Sequence, residues 1–262
     1  IWNGAGWHQM RTASAPDNTT RNAGSAIAYD STHDQTVFFE YVYSSSAAGP
    51  QYLPQTWTFD GANWTKHTAS PVAPPLSALL ADDPAGGGIL AFGGITGLIS
   101  GGKQPVYGTA TWHWDGARWT QLQPAAAPTS DDAKYGVMTT DTHARQAILV
   151  NQHTGMVWTW DGATWTAHHP ASVPPARDGA ALVFDGQSQS VLLISGYDHE
   201  SGQQVGVVWQ WNGNDWSQLA VTGTPATIGT EGAIYDAQMQ ALVAYVCQTW
   251  IWSGSGAWHK LG

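Results

Sequence analysis

The chain carries a single cysteine, Cys247, among 262 residues, so no internal disulfide staples it. It has only nine lysines and arginines against 19 aspartates and glutamates, for a formal net charge of −10. That balance lacks the clustered positive charge needed to grip a nucleic-acid backbone or an anionic membrane, and neither is an expected partner. No apolar run reaches the roughly 18 residues of a membrane-spanning helix, and the first residues do not read as a signal peptide. The chain opens on Ile1 rather than Met, which reads as a processed or truncated product. The scarcity of lysine suits a secreted or extracellular protein. Charged residues make up only 11% of the chain while Gly, Thr, Ser, Ala and Trp abound, a composition of short strands and turns in which almost no helix is expected.

What is present is a repeat built on tryptophan. The run Trp158-Thr-Trp160-Asp161-Gly162-Ala163-Thr164-Trp165 has recognisable copies beginning at Trp2, Trp57, Trp112, Trp209 and Trp250. Each alternates aromatic or β-branched residues, turns at Asp-Gly, Asn-Gly or Ser-Gly, and resumes with Trp, which is the pattern of a β-hairpin. A lone hairpin is barely stable in water, so indoles on both sides of the turn must be covered by neighbouring sheets. Upstream of five of the six hairpins lies a more uniformly apolar strand pair. The five are 25–30 with 36–40, 79–82 with 89–94, 136–141 with 147–150, 180–185 with 191–196, and 232–236 with 241–245. Their composition predicts strands buried on both faces.

Two hairpins per repeat of roughly 40–55 residues match the four-stranded blade of a β-propeller. The best single copy is Pro174-Pro-Ala-Arg177-Asp178-Gly179, then Val191-Leu-Leu-Ile-Ser-Gly196, then Trp209-Gln-Trp211-Asn212-Gly213 and Trp216. With these motifs the chain resembles the kelch-repeat family. The resemblance implies an all-β, kelch-like β-propeller over one domain, residues 1–262, with five full four-stranded blades plus an N-terminal hairpin; six blades is the alternative. Members of that family include sugar-oxidising copper enzymes, an epimerase and plain binding scaffolds, so the fold implies a platform rather than a chemistry.

In such a blade the entry to the first strand and the exit from the second open on one face, around the axial mouth, and the Asp-Gly tips point to the other. Long second-to-third connections are expected at 41–55, 94–108 and 197–207. Where two blades keep small residues at the exit (Gly93-Gly94, Ser195-Gly196), the others place Glu40-Tyr41, Asn151-Gln152 and Val246-Cys247. Loss of sameness at a shared rim is what recognition of an asymmetric ligand requires. Glu40, Lys134, Arg177 and Glu231 are the candidate catalytic groups. Arg177 and Asp178 also match the family pattern, for which tying adjacent blades together is the competing role.

Tyr41, Tyr135, Asn151, His153, Asp178, Tyr197, His199 and Tyr245 are the candidate ligand-binding residues, non-repeated groups able to stack on or hydrogen-bond a glycan, peptide or small molecule. His153 and His199, with Tyr197 or Tyr245, are the histidine–tyrosine set weighed as metal ligands. The ten histidines show no short ligand spacing, however, and neither metal nor cofactor is expected. Cys247 lies two residues after Tyr245, unlike the distant Tyr and Cys partners of the copper oxidases, and reads as a buried, inert thiol. The expected function is a binding module at the mouth, with an enzyme performing acid–base or metal-assisted chemistry on a sugar or small metabolite as the alternative.

Overall fold

The computed structural model describes residues 1–16, 22–46, 49–68, 72–99, 104–225 and 232–261. It is an all-β, five-bladed β-propeller of four-stranded antiparallel blades. Blade 1 is Asn22–Asp30, Gln35–Ser46, Gly49–Phe59 and Trp64–Lys66; blade 2 is Leu79–Asp83, Gly88–Phe92, Thr111–Trp114 and Trp119–Leu122. Blade 3 is Gly136–Asp141, Gln146–Asn151, Val157–Trp160 and Trp165–His168. Blade 4 is Ala181–Asp185, Ser190–Ile194, Val208–Trp211 and Trp216–Leu219, and blade 5 is Ala233–Asp236, Ala241–Tyr245, Thr249–Trp252 and His259–Lys260. Among the described residues, no helix is long and apolar enough to cross a membrane.

The turns explain why each blade forms. At the hairpin tips one side-chain oxygen, from Asp60, Asp115, Asp161 or Asn212, accepts the backbone N–H groups two and three residues on. The following glycine takes the left-handed conformation, as Gly162 does at φ 96°. The inner turns repeat the device with Asp30, Asp141 and Asp236, while Asp185 divides the two N–H groups between its two oxygens. In blade 2 the carboxylate doing this is Asp83, which accepts from Gly86, while Asp82 accepts from Ser31 of blade 1.

The chain divides into two compact units, one of Gln9–Lys134 with Trp160–Trp165, the other of Ile1–His8, Tyr135–Thr159 and Thr166–Gly262. Within the first, Val37 and Phe39 of blade 1 pack with Leu80, Ile89, Trp112, Trp114 and Trp119 of blade 2. The Trp119 indole donates to the Thr56 hydroxyl at 3.0 Å, and Trp165 repeats the bond to Thr111 at 3.0 Å. Within the second, the second strand of blade 4 splits its side chains between neighbours. Val191 and Leu193 join the cluster with blade 3, whereas Leu192 and Ile194 join the cluster with blade 5. This is the two-faced burial that a uniformly apolar strand requires. Trp216 of blade 4 donates to the Gly155 carbonyl of blade 3 at 3.1 Å.

The N-terminal hairpin is a single bridge, Trp2 with Trp7, outside the blade sheets. Trp7 donates to Thr249 of blade 5 at 2.8 Å, which copies the indole–threonine bond of the blades.

Two expectations change. The 41–55 segment is no loop: the second and third strands of blade 1 run on as one long hairpin, with Tyr43 opposite Tyr52 in edge-to-face contact at 5.7 Å. The register runs unbroken from Thr36 opposite Phe59 to Ser46 opposite Gly49, so the backbone ladder itself continues past the blade. The 94–108 segment is likewise paired, Ile95–Ile99 with Gln104–Tyr107. In keeping with the expectation of almost no helix, one short helix, Ser130–Tyr135, precedes blade 3, started by a reciprocal cap in which Thr129 Oγ1 accepts the Asp132 N–H and Asp132 accepts the Thr129 N–H.

If the indole bonds hold blades together, Trp216→Phe leaves the Gly155 carbonyl unmatched and costs about 1–3 kcal/mol. Trp216→Ala also opens a cavity and costs about 3–5 kcal/mol. Urea denaturation followed by circular dichroism measures both, and equal midpoints for the two variants would refute the assignment.

Candidate functional site

Four chain segments meet at the start of blades 3 and 4. The Gln152 N–H donates to the Tyr135 carbonyl at 3.0 Å, Arg177 N–H to the Gln152 carbonyl at 3.1 Å, and His199 N–H to the Ala176 carbonyl at 3.1 Å. The Gln152 side chain adds a bond of its own, its Oε1 accepting the buried Ala180 N–H at 2.7 Å. Arg177–Asp178 then pairs with Tyr197–Asp198, Asp178 opposite Tyr197, in a two-stranded ribbon. These bonds fix the backbone beneath a cluster of polar side chains.

At its centre is Asp178. One carboxylate oxygen meets His153 Nε2 at 2.7 Å and the other meets His199 Nδ1 at 2.8 Å. The two imidazoles lie 4.1 Å apart, and the His153 ring stacks on Tyr135 at 3.7 Å and 21°. Asn151 positions His153 from below, its Oδ1 accepting the His153 and Thr154 N–H groups. The His153 side chain is 14% exposed, while those of Asp178 and His199 are 54% and 49% exposed, so the cluster opens to solvent on one side. Partial burial works to raise the Asp178 carboxyl. The hydrogen bonds from His199 and His153, with their charge, outweigh it and hold the group below the ordinary carboxylate range.

Arg177 points the other way. It is 2% exposed and donates to the Pro175 and Ser195 carbonyls at 3.1 and 3.2 Å. Burial pushes its guanidinium down to about 10, with Asp198 acting in the opposite sense. Its Nε and Nη1 each bind a backbone carbonyl, which makes it a tie between the entry and the exit of blade 4. Gly196 completes that tie: at φ 102°, a Cβ there would meet the Asp178 carbonyl at 2.9 Å.

Of the remaining candidates, Tyr197 is 36% exposed and its hydroxyl accepts from Gln204 at 3.4 Å. Tyr245 is exposed on blade 5, edge-on to Trp7 at 5.7 Å. Glu40, Tyr41 and Lys134 belong to the other unit. Glu40 is 2% exposed in mid-strand, opposite Ser25 and Gln55, rather than at a strand exit. Tyr41 is half-buried and donates to the Pro74 carbonyl at 2.9 Å, and Lys134 is exposed on the short helix. Glu231 lies outside the described residues. Cys247, expected to be buried, is exposed, because the strand of blade 5 ends at Tyr245 and the thiol sits in the turn beyond. A shallow cleft at Pro54, Thr56, Trp114, Arg118 and Trp119 contains none of the candidates.

The sequence names Tyr135, Asn151, His153, Asp178, Tyr197 and His199 as candidate ligand-binding residues and pairs His153 with His199 as a metal set; the structure brings all six to one place. The sequence reading missed the positioning role of Gln152. The available signal was a large amide where blades 2 and 4 keep glycine.

No family model and no curated protein matches this chain. Among solved structures it is similar to an α-L-arabinanase from Penicillium chrysogenum complexed with arabinobiose. Identity is 11%, coverage 94% of this chain and 83% of that one, and the TM-score 0.57. The likeness is one of fold. An exo-β-1,3-galactanase from Phanerochaete chrysosporium with β-1,3-galactotriose gives 15% identity and a TM-score of 0.49, covering 95% of this chain and 60% of that chain.

Substituting Arg177→Met strands two carbonyl acceptors at about 1–3 kcal/mol each. Asp178→Asn, at an exposed group, shifts stability by about 0.5 kcal/mol or less. Denaturation midpoints separate the two, and a larger loss for Asp178→Asn would overturn this division of roles.

Proposed function

We propose that this protein is an enzyme acting on a carbohydrate, with its site at the Asp178 cluster of blades 3 and 4. The observation that carries the proposal is the solvent-facing carboxylate held between two imidazoles, 2.7 and 2.8 Å away, beside tyrosine rings. A carboxylate-backed imidazole is suited to move a proton from a hydroxyl or a carbon-bound position. Tyr197, directly across the ribbon from Asp178, offers an aromatic face with a polar edge, the combination that packs on a sugar ring while hydrogen-bonding its rim. The similar arabinanase was solved with a disaccharide, which supports a saccharide ligand.

Both oxygens of the Asp178 carboxylate are engaged by imidazoles, an arrangement that suits proton transfer or metal-assisted chemistry on a sugar. In this reading Asp178, His153 and His199 do the chemistry, in preference to Glu40, Lys134, Arg177 and Glu231. The kelch likeness and an extracellular location belong to the same proposal, resting on the blade 4 motifs and on the low lysine content.

The test is a panel of mono- and oligosaccharides, arabino-oligosaccharides included, followed by mass spectrometry for products and by ligand-observed NMR for binding. Turnover is expected to vanish in His153→Ala and Asp178→Ala, and binding to weaken about 5–10-fold in Tyr197→Ala, the loss of one stacking contact of about 1 kcal/mol or slightly more. Binding without any product would instead favour the plain binding module, for which the tyrosines are the supporting observation. A panel with no bound or altered sugar defeats both.

A further inference from the structure

We propose that His153, Asp178 and His199 bind one divalent transition-metal ion. Two imidazole nitrogens and one carboxylate oxygen, one atom from each residue, lie within 4.8 Å of one another. Three donors set tetrahedrally around one ion, with bonds about 2.0–2.2 Å long, lie roughly 3.3–3.6 Å apart, so these side chains close in to grip an ion. The donors come from three different segments, and the ladder 135–152–177 with 176–199 ties those segments together before any ion arrives. Stacking on Tyr135 fixes the His153 ring plane, and Asn151 holds its backbone. Such outer support is what keeps ligands oriented in a working metal site. The open side of the cluster, at Asp178 and His199, leaves coordination positions for water and for a ligand oxygen.

Without metal, imidazole N–H groups satisfy the carboxylate. When an ion binds, the nitrogen facing Asp178 gives up its proton, which passes by way of solvent to the other ring nitrogen of a neutral imidazole or is released to solvent from an imidazolium; the freed lone pair turns to the metal, and the carboxylate exchanges its hydrogen bonds for a metal bond. No oxidation or reduction is involved. Two of three donors are imidazole, so Cu²⁺, Zn²⁺ and Ni²⁺ are selected over Ca²⁺ and Mg²⁺, which prefer all-oxygen shells.

The inference deepens the carbohydrate reading by choosing its metal-assisted form, yet it is measured without any sugar. The full chain, free of affinity tag and treated with chelator, is titrated calorimetrically with Zn²⁺, Cu²⁺ and Ca²⁺. One Zn²⁺ or Cu²⁺ per chain is expected, and no Ca²⁺. His153→Ala, His199→Ala and Asp178→Ala should each weaken binding at least 10-fold, while His143→Ala, outside the cluster, leaves it unchanged. Electron paramagnetic resonance of the Cu²⁺ form should show two coupled nitrogens, falling to one in His199→Ala. Circular dichroism checks the fold of each variant, and Asp178→Asn, which keeps the shape and loses the charge, replaces any that fails. No bound ion, or one ion held equally by the three cluster variants, overturns the proposal. A bound metal with no saccharide engaged sinks the carbohydrate reading alone, and the reverse result sinks the metal alone.

Discussion

Blades 2, 3 and 4 each depend on an indole being taken up by the neighbour that precedes it. A four-stranded sheet with tryptophan on its outer hairpin and aliphatic residues on both faces of its second strand has no stable existence alone. The Trp119 and Trp165 rings end on Thr56 and Thr111, and Trp216 ends on the Gly155 carbonyl, so a large apolar plate is buried while its one polar atom stays matched. The same hairpins keep their own aromatic pairs at nearly constant geometry: Trp114–Trp119, Trp160–Trp165 and Trp211–Trp216 have centroids 5.5, 5.4 and 5.4 Å apart. Repetition of one contact, more than any single strand, makes the architecture.

The Asp178 cluster exists because that repetition is broken. At Gly94 and Gly196 the backbone takes a left-handed turn in which a side chain has no room, Gly196 against the Asp178 carbonyl. At the matching place blade 3 has Gln152, which turns its amide toward Ala180 and carries His153 next to it out toward Asp178. Arg177 underneath spends all its observed donors on carbonyls, leaving Asp178 as the charged group that faces outward. Structural tie and candidate site thus occupy adjacent residues of one short ribbon.

The fold was readable because its signals are local and recur. Asp-Gly followed by Trp fixes a turn within five residues, and six copies reinforce one another. The errors arose where local pattern is silent about continuation: nothing in 41–55 says that the strands keep pairing, and the turn at Cys247 is a matter of where blade 5 stops. The site was legible as names and as one suggested pairing, His153 with His199, without Asp178 between them. His153, Asp178 and His199 are separated by 25 and 21 positions, and only the cross-blade hydrogen bonds, invisible to any spacing rule, bring them together.

Trp7 and Thr249 stand 242 positions apart, yet they form the bond that blade neighbours use. Closing so long a loop costs more entropy than any turn inside a blade, so this bond is expected to form later than the local hairpins do.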